Sequence, residues 1–296
     1  MTDSELNLKY HLKKLSNTAV RIIVGIIGIP LVIALAVIGN IPFLIFCVIV
    51  SFLCMNEFYN LFERPKKTPS IITKWAGGFS FHKIVFLIIS SLIVVCFYFQ
   101  KFNYVLILYF LMFLYLTADE VFKTDKHFEA IGTWMLSIVY ISTPFGLLSL
   151  MDSSAFISNN IVNYAILIMA MVWASDTFAY FGGRTFGKHK LAERISPKKT
   201  WEGSIFGFIF TIITGIVIHY IYYPQMKLTH FIAAALIVGV SAQLGDLFES
   251  QLKRWVKIKD SSQLIPGHGG FLDRFDSILF AVPAVYIYLY LNSIFK

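Results

Sequence analysis

The chain has 296 residues, of which 57% are apolar and only 14% charged, with a formal charge of +8 and a mean hydropathy of +0.71. A soluble domain usually carries about 25% charged residues, and 29 phenylalanines exceed what one water-soluble core of this length buries. These figures exclude an ordinary soluble globular protein. Spread between apolar runs, the positive charge also does not form a nucleic-acid footprint.

A membrane helix needs about 20 mostly apolar residues. In chain order, the qualifying runs are Arg21–Gly39, Pro42–Phe62, Ile84–Phe99, Tyr104–Leu116, Thr133–Leu150, Ile161–Phe181, Gly203–Tyr223, His230–Phe248 and Phe275–Phe295. They show no alternation of period two, so closed barrels are not indicated. The pattern predicts an all-α, polytopic integral membrane helix bundle of about nine transmembrane helices, the third and fourth being shortest. The first run has basic residues before it and an Ala34-Leu35-Ala36 triplet, as a signal peptide would. Its apolar sequence continues through Ile38 and resumes at Ile41, so it is read as a retained helix. Cys47, Cys54 and Cys96 lie within apolar runs, form no C-x-x-C pair and read as packing residues.

Cytoplasmic loops collect lysine and arginine. With the N-terminus cytoplasmic, nine spans place all but three of the 25 basic residues on the cytoplasmic side, the exceptions being Lys101, Lys227 and Lys296. Losing one helix from the count would move whole basic loops outside. The basic loops suit anionic lipid headgroups, and some of them would also suit a polyphosphate. The compact length, without a long polar N-terminal extension, favours the plasma (inner cell) membrane of a bacterium, crossed several times.

Polar residues cluster unevenly. Glu57, Asp176, Asp246, Glu249 and Asp276 lie within or at the edges of apolar runs, where ionisable groups are costly. Glu57, alone near the end of its run, is read as an interfacial carboxylate paired with a nearby lysine. Helical spacing puts Asp246, Glu249, Ser250 and Lys253 on one face, with Gly245 leaving room for close approach. The stretch from Lys253 to Asp276 is the most polar in the chain. Pro266 and its neighbouring glycines interrupt any helix there, and Gly269 and Gly270 offer N–H groups to an anion. Asp273 and Asp276, three residues apart, could share a face at the start of the last helix. With Asp246 they supply the oxygen ligands that Mg²⁺ prefers when it also holds phosphates. His268 is a candidate acid–base or phosphate-contacting group, or equally a histidine that holds the loop by hydrogen bonding.

A third polar stretch runs from Asp176 to Gly203. Gly182 to Lys188 spells G-x-x-x-x-G-K, but His189 follows it and a membrane run precedes it, so a P-loop is not indicated. Ser196-Pro197 reads as a helix cap and first residue, placing a helix start near Lys198. Carboxylates at membrane depth, cations beside them and glycine-rich connections together suit metal-assisted phosphoryl or nucleotidyl transfer at the cytoplasmic face.

The sequence Ser250-x-Leu252-Lys253-Arg254-x4-Lys259-Asp260-x-Ser262-x2-Ile265-Pro266-x-His268-Gly269-Gly270-Phe271-x-Asp273-Arg274-Phe275-Asp276 resembles the phosphatidate cytidylyltransferase signature throughout. The Asp176–Gly203 stretch and Gly245-Asp246-x-x-Glu249-Ser250 are similar to that family too, whereas residues 1–160 share only its hydrophobicity. The organisation expected is therefore N-terminal transmembrane helices over 1–160 and a catalytic transmembrane region over 161–296, with the signature at 250–276. The resemblance implies condensation of CTP with phosphatidic acid to CDP-diacylglycerol and pyrophosphate, Mg²⁺ as cofactor, a homodimer in the bilayer, and no nucleic-acid partner. It implies Asp246 and Asp273 as metal ligands with Asp276 close by. Lys253, Arg254, Lys259 and Arg274 would neutralise the triphosphate, helped by Lys198 and Lys199. Asp176, Ser196, His268, Gly269 and Gly270 complete the expected substrate-binding set. A cytidylyltransferase acting on another lipid phosphate or a polyprenol shares the same metal logic. An ion-coupled transporter would place its acids near the midplane on interrupted helices, and a scaffold would leave the Lys253–Asp276 stretch unexplained.

Overall fold

The computed structural model describes residues 17–63, 79–122, 128–153, 162–262, 264–265 and 269–294. Among them nine helices form: α1 (Asn17–Ile38), α2 (Asn40–Glu63), α3 (Phe79–Tyr98), α4 (Phe102–Phe122), α5, α6 (Tyr164–Phe186), α7 (Trp201–Tyr222), α8 (Leu228–Trp255) and α9 (Leu272–Ile294). Helix α5 joins Phe128–Ser137 and Thr143–Asp152 through a π-helical turn, Ile138–Ser142. Seven helices are long and apolar enough to cross a membrane, and Gly25–Ile38 and His82–Tyr98 are shorter apolar stretches. Of these seven, α4 and α7 are the least enclosed. They present Leu106, Phe110, Tyr220 and Ile221 outward, apolar side chains that suit lipid better than water.

The apolar runs marked every helix, but not every end. Helix α6 continues past Phe181 to Phe186 because its glycines pack instead of turning. A Cβ at Gly203 of α7 would lie 2.6 Å from Ala179 O and 2.9 Å from Gly183 Cα, so the two backbones are in contact. The expected helix start near Lys198 is corrected as well. Ser196–Thr200 is a strand (β2) paired antiparallel with β1 (Lys190–Ala192), with Lys190 opposite Thr200 and Ala192 opposite Ser196. Helix α7 begins at Trp201, where the extended Thr200 accepts a hydrogen bond on Oγ1 from Gly203 N at 3.2 Å. A Ser-Pro pair fits a cap or a two-stranded edge equally. The Thr200 side chain, able to satisfy an orphan helical amide, decides where the helix starts.

Two groups of helices make the core. In the first, α2, α3 and α5 pack together around the stacked rings of Tyr59 and Trp134. A buried ladder of hydroxyls, Ser51–Ser90 at 3.0 Å and Ser142–Ser90 at 2.9 Å, ties the same three helices. In the second, α6 packs on α7, α7 on α8 and α8 on α9. Helix α9 also contacts α5 and α2, which joins the groups.

Candidate active site

The second group encloses a cavity of about 590 Å³ between the ends of α6 and α8 and the starts of α7 and α9. Helix α6 contributes Asp176, Tyr180 and Arg184, spaced four apart and therefore on one face. Arg184 donates to Tyr180 OH at 3.2 Å. The β2 strand brings Lys198 and Lys199 to the opening, and α8 brings Gln243, Asp246 and Lys253. Gly245 does leave room, as its spacing suggested: a Cβ there would lie 2.5 Å from Asp276 O, so α9 lies directly against α8. That contact delivers Asp273, Arg274 and Asp276 into the same space.

Ion pairs order this inventory. Lys199 Nζ pairs with Asp246 Oδ2, and Ser250 Oγ lies 3.5 Å from Asp246 Oδ1. Lys253 Nζ bridges Glu249 Oε2 at 2.5 Å and Asp273 Oδ1 at 2.6 Å. Asp273 Oδ2 also accepts from Ser261 N at 3.0 Å and Gly270 N at 2.8 Å, and Ser261 Oγ lies 2.9 Å from it. Asp276 Oδ1 accepts from Ser277 N at 2.7 Å, and Asp276 faces Asp246 and Asp176 electrostatically.

Of the expected site residues, Asp176, Lys198, Lys199, Asp246, Lys253, Asp273, Arg274 and Asp276 line the cavity together. Arg254 is turned elsewhere, donating to Ile195 O at 3.1 Å and Ile258 O at 3.0 Å. Lys259 is exposed, and Ser196 opens strand β2. Gly269 has a positive φ of 84°, a turn that glycine makes at no steric cost. The Gly270 N–H goes to Asp273 instead of remaining open to an anion. His268 lies outside the described residues.

Glu57 is the main correction. It is 1% exposed and, among the described residues, pairs with no lysine; Lys83 reaches Asn60 Oδ1 at 2.8 Å. Four donors surround the Glu57 carboxylate: Ser262 Oγ at 2.6 Å, Leu272 N at 2.9 Å, Ser261 Oγ at 3.0 Å and Phe271 N at 3.0 Å. A buried carboxylate is tolerable when donors saturate it in this way, and these donors come from a loop more than 200 residues away in sequence. Arg184 and Asp260 also line the cavity without having been singled out as site residues. Arg184 was legible as the position eight beyond Asp176, had the helix been extended through the glycines.

Within the cavity, carboxylates and cations alternate. A polyphosphate would be attracted by Lys198, Lys199 and Arg274 yet repelled by Asp176, Asp246 and Asp276, unless a divalent cation accompanied it. Among the described residues, no three acid, histidine or cysteine side chains converge closely enough to hold a metal unaided. Mg²⁺ suits such a site, because it commonly takes one or two carboxylates and completes its shell with substrate phosphates and water.

Residues 19–292 match the model of a family described as the cytidylyltransferase family. A Bacillus subtilis protein named phosphatidate cytidylyltransferase is 35% identical over 184 residues, covering 62% of this chain and 67% of that protein. A Rickettsia bellii protein of the same name is 40% identical over 171 residues, covering 55% and 71%. One from Haemophilus influenzae is 47% identical over 122 residues, covering 40% and 42%.

Proposed function

This chain belongs to the cytidylyltransferase family, and from that premise we propose that its cavity joins CTP to phosphatidic acid, giving CDP-diacylglycerol and pyrophosphate. One observation carries the reading: α6, β2, α8 and α9 bring acids and cations into one cavity at the ends of apolar helices. Its volume falls in the range of about 300–1,000 Å³ typical of small-ligand sites.

In the reaction, an oxygen of the lipid phosphate attacks the α-phosphorus of CTP in line with the leaving group. The bond from that phosphorus to the α–β bridging oxygen breaks, and pyrophosphate departs with the electron pair. The attacking phosphate is already an anion near neutral pH, so no strong general base is required. Lys198, Lys199 and Arg274 draw the phosphates in and offset their charge. Lys253, held between Glu249 and Asp273, fixes the Asp273 carboxylate. Mg²⁺, when bound, would neutralise charge on the reacting phosphates and on the leaving pyrophosphate. Asp246 and Asp273 would hold it with Asp276 beside them, Asp273 becoming available as Lys253 turns to phosphate.

The same proposal includes nine membrane crossings, a cytoplasmic N-terminus, an active site facing the cytoplasm of a bacterial plasma membrane, and a homodimer. The lysine and arginine distribution supports the orientation. The reaction is tested with purified protein in detergent by following radiolabelled CTP into an organic-soluble product. Phosphatidic acid and Mg²⁺ are each supplied or withheld, beside an Asp273→Asn variant. Product that needs both additions and is lost in the variant supports the reaction and the metal together. Product without Mg²⁺ removes the metal from the proposal, and a folded protein with no product under any condition overturns the reaction.

A further inference from the structure

We infer that Glu57, on α2 and behind the cavity, is a positioning residue for the transfer reaction, because its carboxylate fixes the loop and helix start that carry Asp273, Arg274 and Asp276. The inference rests on the reading of the cavity given above. It adds a residue from the half of the chain that, among the described residues, contributes none of the cavity lining.

Three features of the geometry support it. First, Phe271 N and Leu272 N, which donate to Glu57 at 3.0 and 2.9 Å, are the amides at the start of α9. Such amides have no partner within their own helix, and here α2 supplies it. Asp273 is the next residue, and Arg274 and Asp276 follow within one turn. Second, the Ser261 hydroxyl lies between two carboxylates, 3.0 Å from Glu57 Oε2 and 2.9 Å from Asp273 Oδ2. A hydroxyl has one proton to donate, so the positions of the two carboxylates are linked through it. Third, a Cβ on Gly270 would overlap both Ser261 Oγ and Glu57 Oε2. The loop therefore closes over Glu57 with no space to spare, and a shift of the carboxylate moves the loop.

Glu57→Gln keeps the shape but turns an NH₂ group toward N–H and O–H donors. The start of α9 must then move, and a displacement of about 1 Å at a reacting centre can cost on the order of 100-fold in rate. The expected result is a 10- to 100-fold fall in kcat, with KM for CTP changed less. Glu57→Asp, which keeps the charge on a shorter stem, should fall between that variant and wild type. Ser261→Ala combined with Glu57→Gln should cost less than the product of the two single effects, because both cut one linkage.

Asp152→Asn separates positioning from bulk stabilisation. Asp152 is also 1% exposed and accepts from Asn40 N at 2.9 Å and Asn163 Nδ2 at 2.7 Å. It sits at the other end of α2, about 25 Å along the helix axis from Glu57. That variant should melt at lower temperature and keep wild-type kcat per folded molecule. A Glu57→Gln protein that does the same, melting lower with unchanged kcat and KM, overturns the inference. If Glu57→Gln does not fold, Ser261→Ala alone decides, and unchanged turnover in it is equally fatal. A wild-type protein that makes no product from CTP and phosphatidic acid counts instead against the reaction proposed for the cavity.

Discussion

Replacing Lys253 with methionine removes one charge from the interior while keeping an unbranched stem of similar length. Lys253 Nζ lies 2.5 Å from Glu249 Oε2 and 2.6 Å from Asp273 Oδ1, its side chain is 12% exposed, and that of Glu249 is 0% exposed. Among the described residues Glu249 has only Lys253 and the neighbouring Asp273 as polar partners, so Lys253 carries most of the compensation. Removing one partner of a buried ion pair costs about 3–5 kcal/mol, chiefly because the other charge is stranded. At about 2 °C per kcal/mol for a protein of this size, Lys253→Met should melt about 6–10 °C below wild type. Adding Glu249→Gln removes the stranded charge and should bring stability back to within about 1–2 kcal/mol of wild type. Turnover should remain low in both variants, since Asp273 has lost its cation and the cavity a positive charge. Thermal unfolding in detergent, followed by intrinsic fluorescence, reads the stability, and the radiolabelled CTP assay reads turnover. A Lys253→Met protein melting within about 2 °C of wild type refutes the reasoning. So does a double variant no more stable than the single one.

Three further outcomes are expected. Gly245→Ala pushes a Cβ to 2.5 Å from Asp276 O and 3.2 Å from Phe280 Cβ, so it should cost about 1–3 kcal/mol and displace Asp276; wild-type stability and turnover together would contradict the close packing of α8 and α9. Thr200→Ala should lower unfolding stability by about 1 kcal/mol through loss of the α7 cap, with Thr200→Ser close to wild type; melting curves that superimpose for all three would remove the cap from the account. Lys199→Gln should raise KM for CTP more than it lowers kcat and weaken the dependence of KM on ionic strength; an unchanged KM would take Lys199 out of substrate binding.

The helices were legible because membrane spans are written as local composition, and each apolar run needs no distant partner to be recognised. Their ends were less so. Gly182 and Gly183 look like a loop in sequence, yet they lie within α6 because Gly203 of α7 meets Gly183 backbone to backbone and the Phe206 side chain packs against Gly182. Ser196-Pro197 is compatible with a cap or an edge strand, and only the pairing of Lys190 with Thr200 decides between them. Within the site, Asp246, Asp273 and Asp276 were readable because helical spacing and adjacent glycines mark them out. Glu57 was not readable, since everything that distinguishes it from an interfacial carboxylate comes from Ser261, Ser262, Phe271 and Leu272. No periodicity connects residues so far apart. Arg254 is the reverse case, a cation inside a functional-looking run that binds backbone carbonyls instead.

The length of α8 sets the depth of the chemistry. Its 28 residues span about 42 Å, well beyond a hydrocarbon layer of about 30 Å. Asp246 lies about 27 Å from the first residue of that helix, so with that residue at one face of the hydrocarbon layer, the cavity proposed for the reaction would open near the lipid phosphates of the other. A diacyl substrate can therefore present its headgroup by diffusing sideways, with both tails still immersed. Lifting those tails into water would cost about 0.8 kcal/mol for every methylene, a total far above any binding energy a cavity of this size could return. The product inherits the same advantage, leaving laterally with its nucleotide outward while pyrophosphate escapes to the aqueous side.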